Sequence, residues 1–202
     1  MGKFLAGILV GVGGLAAGAY IYVHYGFLDM RADRAASRIE HIYMRGAMDK
    51  SVDRHAPKMA NPVPPSDVNL IEGIRLYKSN CAVCHGGPEM PNSKVGEGFS
   101  PPTPQFLKEA PDMPDNQNYW IVKHGVKMTG MPAWGKVLSD TDIWKLTTFL
   151  GQMKDLNKSS PAVQAAWAAG GQTELGPAAP VTPPNPPLSA PPERLHQHRH
   201  RR

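Results

Sequence analysis

Both cysteines of this 202-residue chain fall within five positions, in CAVCH at 81–85, and the second is followed directly by a histidine. Two thiols three residues apart cannot cross-link distant parts of a chain, so no disulfide framework holds this fold together. On a helical turn Cys81, Cys84 and His85 stand at i, i+3 and i+4 and project toward one side. The fold has to accommodate a short turn that presents two sulfurs and an imidazole together.

The surroundings of that turn are helical in pattern. From Ser66 or Asp67 a periodic segment places Leu70, Ile71, Ile74 and Tyr77 on one side, which predicts a first helix. A second is framed by Asp115 as N-cap and Gly125 just past its end, and includes Tyr119, Trp120, Ile121 and Val122. A third opens on SDTD, with a capping-box-like pair Ser139 and Asp142, and runs through Ile143, Leu146, Thr147 and Leu150 to Met153. Between the first two helices lies a long proline-rich loop with no strand signal. A loop of that length in a small domain needs something other than its own side chains to pack on. The expected fold class is all-α, with the compact domain at 66–158.

C-x-x-C-H is the attachment signature of c-type haem, in which two thioethers hold the porphyrin edge and the adjacent imidazole takes the proximal iron position. A structural zinc site would want a second cysteine pair or spaced histidines, and neither lies nearby. A thioredoxin-like redox pair would want a βαβ context rather than helix and loop. One covalently bound haem c is therefore expected, attached through Cys81 and Cys84 with His85 as proximal iron ligand, and it would give the long loop a surface to fold on. The distal ligand is expected from GVKMTGMPAWG at 125–135, because a neutral thioether suits an iron that is stable as both Fe(II) and Fe(III). Pro132 stiffens the chain after Met131, and Gly130 permits close backbone approach to the porphyrin. Spacing alone leaves Met131 and Met128 nearly even, with His124 a further candidate.

GIRLYKSNCAVCHGG, YWIVKHGVKMTGMPAWG and LSDTDIWKLTTFL follow one another in an order that resembles the class I cytochrome c domain across residues 66–153. The resemblance implies an all-α fold with one exposed haem edge. It also implies a crossing of first and last helices through a glycine and an aromatic, for which Gly73, Tyr77 and Phe149 are candidates. The methionine of the Met-Pro pair, Met131, is the implied distal ligand, with Met128 the lesser candidate. With both axial positions filled, no open position remains for chemistry, so the implied role is single-electron transfer and not the turnover of a small-molecule substrate.

Residues 4–23, FLAGILVGVGGLAAGAYIYV, contain no charge and make a helix of about 30 Å, one hydrocarbon thickness. AAGA at 16–19 would also suit a cleaved signal peptide, but the apolar run continues to Val23, which favours a retained anchor. Residues 1–28 are thus expected to be an N-terminal transmembrane anchor. Residues 29–65 follow as a juxtamembrane helix with Ala35, Ala36, Ile39, Ile42 and Tyr43 on one face, then a proline-rich linker. The region 159–202, which holds nine of the 21 prolines and ends in ERLHQHRHRR, is expected to be a disordered tail with one short helix on its apolar patch at 162–170. Its Trp167 is a possible docking point and its His196, His198 and His200 a possible metal or headgroup site. Residues 67–158 carry ten basic and ten acidic side chains, which argues against nucleic-acid binding.

Together these features predict a membrane-tethered monohaem cytochrome c that passes single electrons between membrane respiratory complexes or redox proteins at the periplasmic face of a bacterial inner membrane. The alternatives are a permanently bound haem subunit of a larger oxidase or reductase, and a haem-based gas sensor or peroxidase in which the methionine leaves the iron. One feature opposes the predicted orientation: Arg31, Arg34 and Arg38 follow the span while only Lys3 precedes it.

Overall fold

The structure is a computed structural model that describes residues 1–34 and 36–169. All regular structure among the described residues is helical, with no strand, in agreement with the expected fold class. The first helix, α1 (Gly2–His24), is exposed along its whole length and is long and apolar enough to cross a membrane.

The following segment does not continue as a helix. The Asp29 carboxylate accepts from Arg31 at 3.1 Å and from Arg34 at 2.8 Å, which holds the chain in a local turn. Helix α2 (Arg38–His55) begins only where Ser37 and Glu40 form a reciprocal capping box. Its C-terminal end is fastened to the rest of the molecule, with Val52 and Ala56 buried against Ile121.

The centre of the fold is the crossing of α3 (Asp67–Asn80) with α7 (Asp140–Gln152). Ser66 and Ser139 cap these helices as their sequences suggest, each side-chain oxygen accepting the backbone N–H three residues on. The two backbones meet at Gly73, where a Cβ would lie 2.6 Å from the Lys145 carbonyl oxygen and 2.7 Å from the Phe149 Cβ. One turn later the Tyr77 and Phe149 rings meet edge to face at 5.4 Å. Helix α6 (Asp115–His124) packs on α7 through the stacked rings of Tyr119 and Trp144, 3.9 Å apart. Between α3 and α6 lie two single-turn helices, α4 (Ala82–His85) and α5 (Lys94–Glu97).

Three expectations need correction. Asp115 is the first helical residue of α6, not its cap, because Pro114 holds the cap position. The Asp115 carboxylate accepts instead from Asn61 Nδ2 at 2.8 Å. Residues 57–65 are accordingly no free spacer: Asn61 also donates to the Thr148 hydroxyl at 2.9 Å, and Asn116 donates to the Pro57 carbonyl at 2.9 Å. The packed region also continues beyond residue 158. A 3₁₀ segment, Met153–Lys158, leads into α8 (Pro161–Ala168), whose Val163 is fully buried. The Trp167 ring lies 5.8 Å from Tyr77 and 5.4 Å from Phe149. Lys78 then caps the end of α8 by donating to the Ala166 and Ala169 carbonyls at 2.8 and 2.6 Å. The remaining tail, with His196, His198 and His200, lies outside the described residues.

Candidate functional site

Cys81 ends α3 and α4 begins at Ala82, so the CAVCH segment is a single turn set directly on the central helix. A four-residue helix leaves its carbonyls without internal partners, and they must find them elsewhere. Here the chain that follows supplies them. Val83 O accepts from the buried Ser93 hydroxyl, Cys84 O from Gln105 Nε2 at 3.0 Å, and His85 O from the Phe106 N–H at 3.0 Å. Gly86 O accepts from the Tyr77 hydroxyl at 2.7 Å, which joins the turn to the α3–α7 crossing. Gln105 Oε1 in turn accepts from Ser93 N at 2.7 Å. Ser93 and Gln105 were not marked by the sequence, because a serine and a glutamine in a loop carry no signal until the orphan carbonyls they serve are known.

The imidazole of His85 is equally constrained. Its Nδ1 lies 2.9 Å from the Pro104 carbonyl, which can only accept, so Nδ1 carries the proton and the Nε2 lone pair is left for a ligand role. The Phe106 ring stacks on it at 4.2 Å. Burial lowers the imidazole's affinity for a second proton, against the smaller opposing effect of the Pro104 hydrogen bond. Burial also pushes the Cys81 thiol up to about 12, with the nearby Cys84 adding to it, so this sulfur stays uncharged.

The three methionine and histidine candidates for the opposite side are treated differently by the fold. His124 ends α6 as an exposed side chain. Past it, Gly125 turns at φ +67, where a Cβ would lie 2.6 to 2.7 Å from the backbone of Met131 and Pro132. The loop is closed by Val126 N donating to Met131 O at 3.2 Å and by Thr129, whose hydroxyl bonds Val126 O and receives Met131 N. Met128 sits at the tip with φ +62 and is 71% exposed. Met131 is half-buried and packs against both apolar clusters, one of which also carries Cys81 and Phe106. The ring of Phe99 occupies the space beside Gly130.

Among the described residues no three His, Cys, Asp or Glu side chains group in a way that would hold a bare metal ion. What the helices display instead is a crossing through Gly73, a CAVCH turn clamped to it, and a Met-Pro loop, the arrangement of a class I type of c-type cytochrome domain. Residues 69–150 match the protein-family model described as cytochrome c oxidase, cbb3-type, subunit III, and this domain is accordingly a c-type cytochrome domain, a class that binds haem c and transfers electrons. The match covers less than half of the chain; α1, α2 and α8 lie outside it. No curated protein matches the chain. No solved structure does either.

Proposed function

We propose that the chain holds one covalent haem c through thioethers from Cys81 and Cys84, with His85 as the proximal and Met131 as the distal iron ligand. The observation that carries this reading is the geometry of His85, its Nδ1 committed to the Pro104 carbonyl and its Nε2 free, directly after two thiols on the same clamped turn. The donor chemistry agrees, since the partly buried Cys81 sulfur, whose ionisation is disfavoured by desolvation, suits a neutral thioether better than a thiolate. Met131 is preferred to Met128 because its loop is closed by hydrogen bonds and its side chain is packed on the cluster that includes Cys81.

The haem would supply a one-electron couple. The residues around it supply rigidity: both axial side chains sit in segments fixed by hydrogen bonds, so little has to move when the charge changes. With α1 as a retained anchor, the described domain stands at the periplasmic face of a bacterial inner membrane and exchanges electrons with respiratory partners there. A second reading, a fixed haem subunit of a larger oxidase, is favoured by the description of the matching family.

Ligation by Met131 is tested on the oxidised holoprotein through its weak near-infrared sulfur-to-iron band. Met131→Ala should abolish the band, let the reduced protein bind carbon monoxide and lower the potential, whereas Met128→Ala should do none of these. Rapid carbon monoxide binding by the unaltered protein would turn the assignment toward a sensor or peroxidase.

A further inference from the structure

Apart from Ala47 and from Met44, which is 49% exposed on the Met48 side, the apolar side chains of α2 and its C-cap fall into two sets on different sides of the helix. Met48, Val52 and Ala56, toward its C-terminal end, pack with Ile121, Trp120 and Met113. Ile39, Ile42 and Tyr43, in its N-terminal half, span an arc of roughly 100° on the side away from Met48, at about 100° per residue. They are 69%, 59% and 73% exposed and belong to neither apolar cluster. Three large apolar groups on one arc of a well-capped helix form a surface made for an apolar partner.

The chain itself indicates which partner. Only residues 25–37 separate α1 from α2. Even fully extended they reach about 45 Å, and the Asp29 pairs with Arg31 and Arg34 shorten that reach. If α1 spans a bilayer, this face of α2 starts close to the headgroups. Its chemistry fits that depth. Tyr43 joins an apolar ring to a polar tip, as side chains at membrane interfaces do. Arg38 and Arg45 are exposed beside the apolar arc, and the nearby Glu40 carboxylate is occupied in accepting from Ser37 N at 2.7 Å.

We infer that the N-terminal half of α2 lies in the membrane interface, with Ile39, Ile42 and Tyr43 among the lipids and Arg38 and Arg45 at the phosphates. This rests on α1 being a retained anchor. Three side chains alone would bind a bilayer weakly, but the tether makes the second contact intramolecular and raises its effective concentration. The consequence is orientation. The far end of α2 is bound to α6, through Gln117 to Asp53 at 3.1 Å and Asn116 to Pro57, and α6 leads into the Met131 loop. A helix fixed at both ends presents the haem domain to its partners in one attitude rather than on a swinging tether.

The test uses the full-length holoprotein in its own membranes, with a benzophenone photoprobe placed in separate preparations at Leu9, Tyr43 or Arg54. Phospholipid adducts are expected at positions 9 and 43, with only background at 54. Ile42→Glu should reduce the adduct at 43 to that background without altering the absorption spectrum, since Ile42 touches neither cluster. Lipid adducts at 9 with none at 43, or a protein adduct at 43, would overturn the inference and leave the anchor standing. Absence of lipid adducts at 9 would instead remove the anchor on which it rests.

Discussion

Gln105 donates its amide to the Cys84 carbonyl and accepts from Ser93 N, so a single side chain holds the CAVCH turn and the loop after it together. Gln105→Leu leaves both of those backbone groups without a partner. It should cost about 1–3 kcal/mol, read as a lower denaturant midpoint of the holoprotein, with the absorption spectrum kept. Gly125→Ala attacks the other side: at φ +67, with the Pro132 backbone 2.6 Å from any Cβ, the loop must shift. The expected result is a weakened sulfur-to-iron band in a protein that still folds. The sequence placed Cys81, Cys84 and His85 on one turn through spacing alone, because a helical turn is a local object. It could not mark Ser93, Gln105 or Pro104, since their roles depend on which distant carbonyl or imidazole each one faces.

Among the elements, the starts of α3 and α7 were legible because Ser66 and Ser139 cap them within the same local sequence, while α7 ends one residue before the expected Met153. The start of α6 was misread because Asp115 resembles a cap, while its carboxylate is drawn to Asn61, 54 positions earlier. Helix α8 was legible only as a short helix in a disordered extension, and its place in the core was not. It is short and half alanine, and its worth comes from Val163 and Trp167 meeting Tyr77 and Phe149, which only the folded chain brings together. Truncation after Lys158 removes this packing, which predicts a marked loss of thermal stability. Trp167→Ala should cost about 2–3 kcal/mol, less than the roughly 3–5 of a fully buried aromatic because Trp167 is only half-buried. Thermal unfolding of the holoprotein, followed in the haem absorption, measures both. An unchanged midpoint would mean that α8 is not part of the fold's stability.

For the whole molecule, the order of parts along the chain sets the proposed geometry: an apolar helix, a second helix attached to the domain, then the clamped turn and the methionine loop. The arginines after α1 oppose the proposed outward orientation, but long domains cross membranes largely regardless of such charges. Protease added to spheroplasts should therefore remove residues 29 onward; protection would reverse the orientation. Cys81→Ser should leave one thioether and little mature protein. All of this depends on a covalent haem at Cys81 and Cys84, and one measurement addresses that claim: the intact mass of the protein after extraction with acidified acetone. The predicted result is a coloured pellet whose mass is that of the polypeptide plus one haem. A colourless pellet with the mass of the bare chain, and the pigment in the acetone, would contradict it.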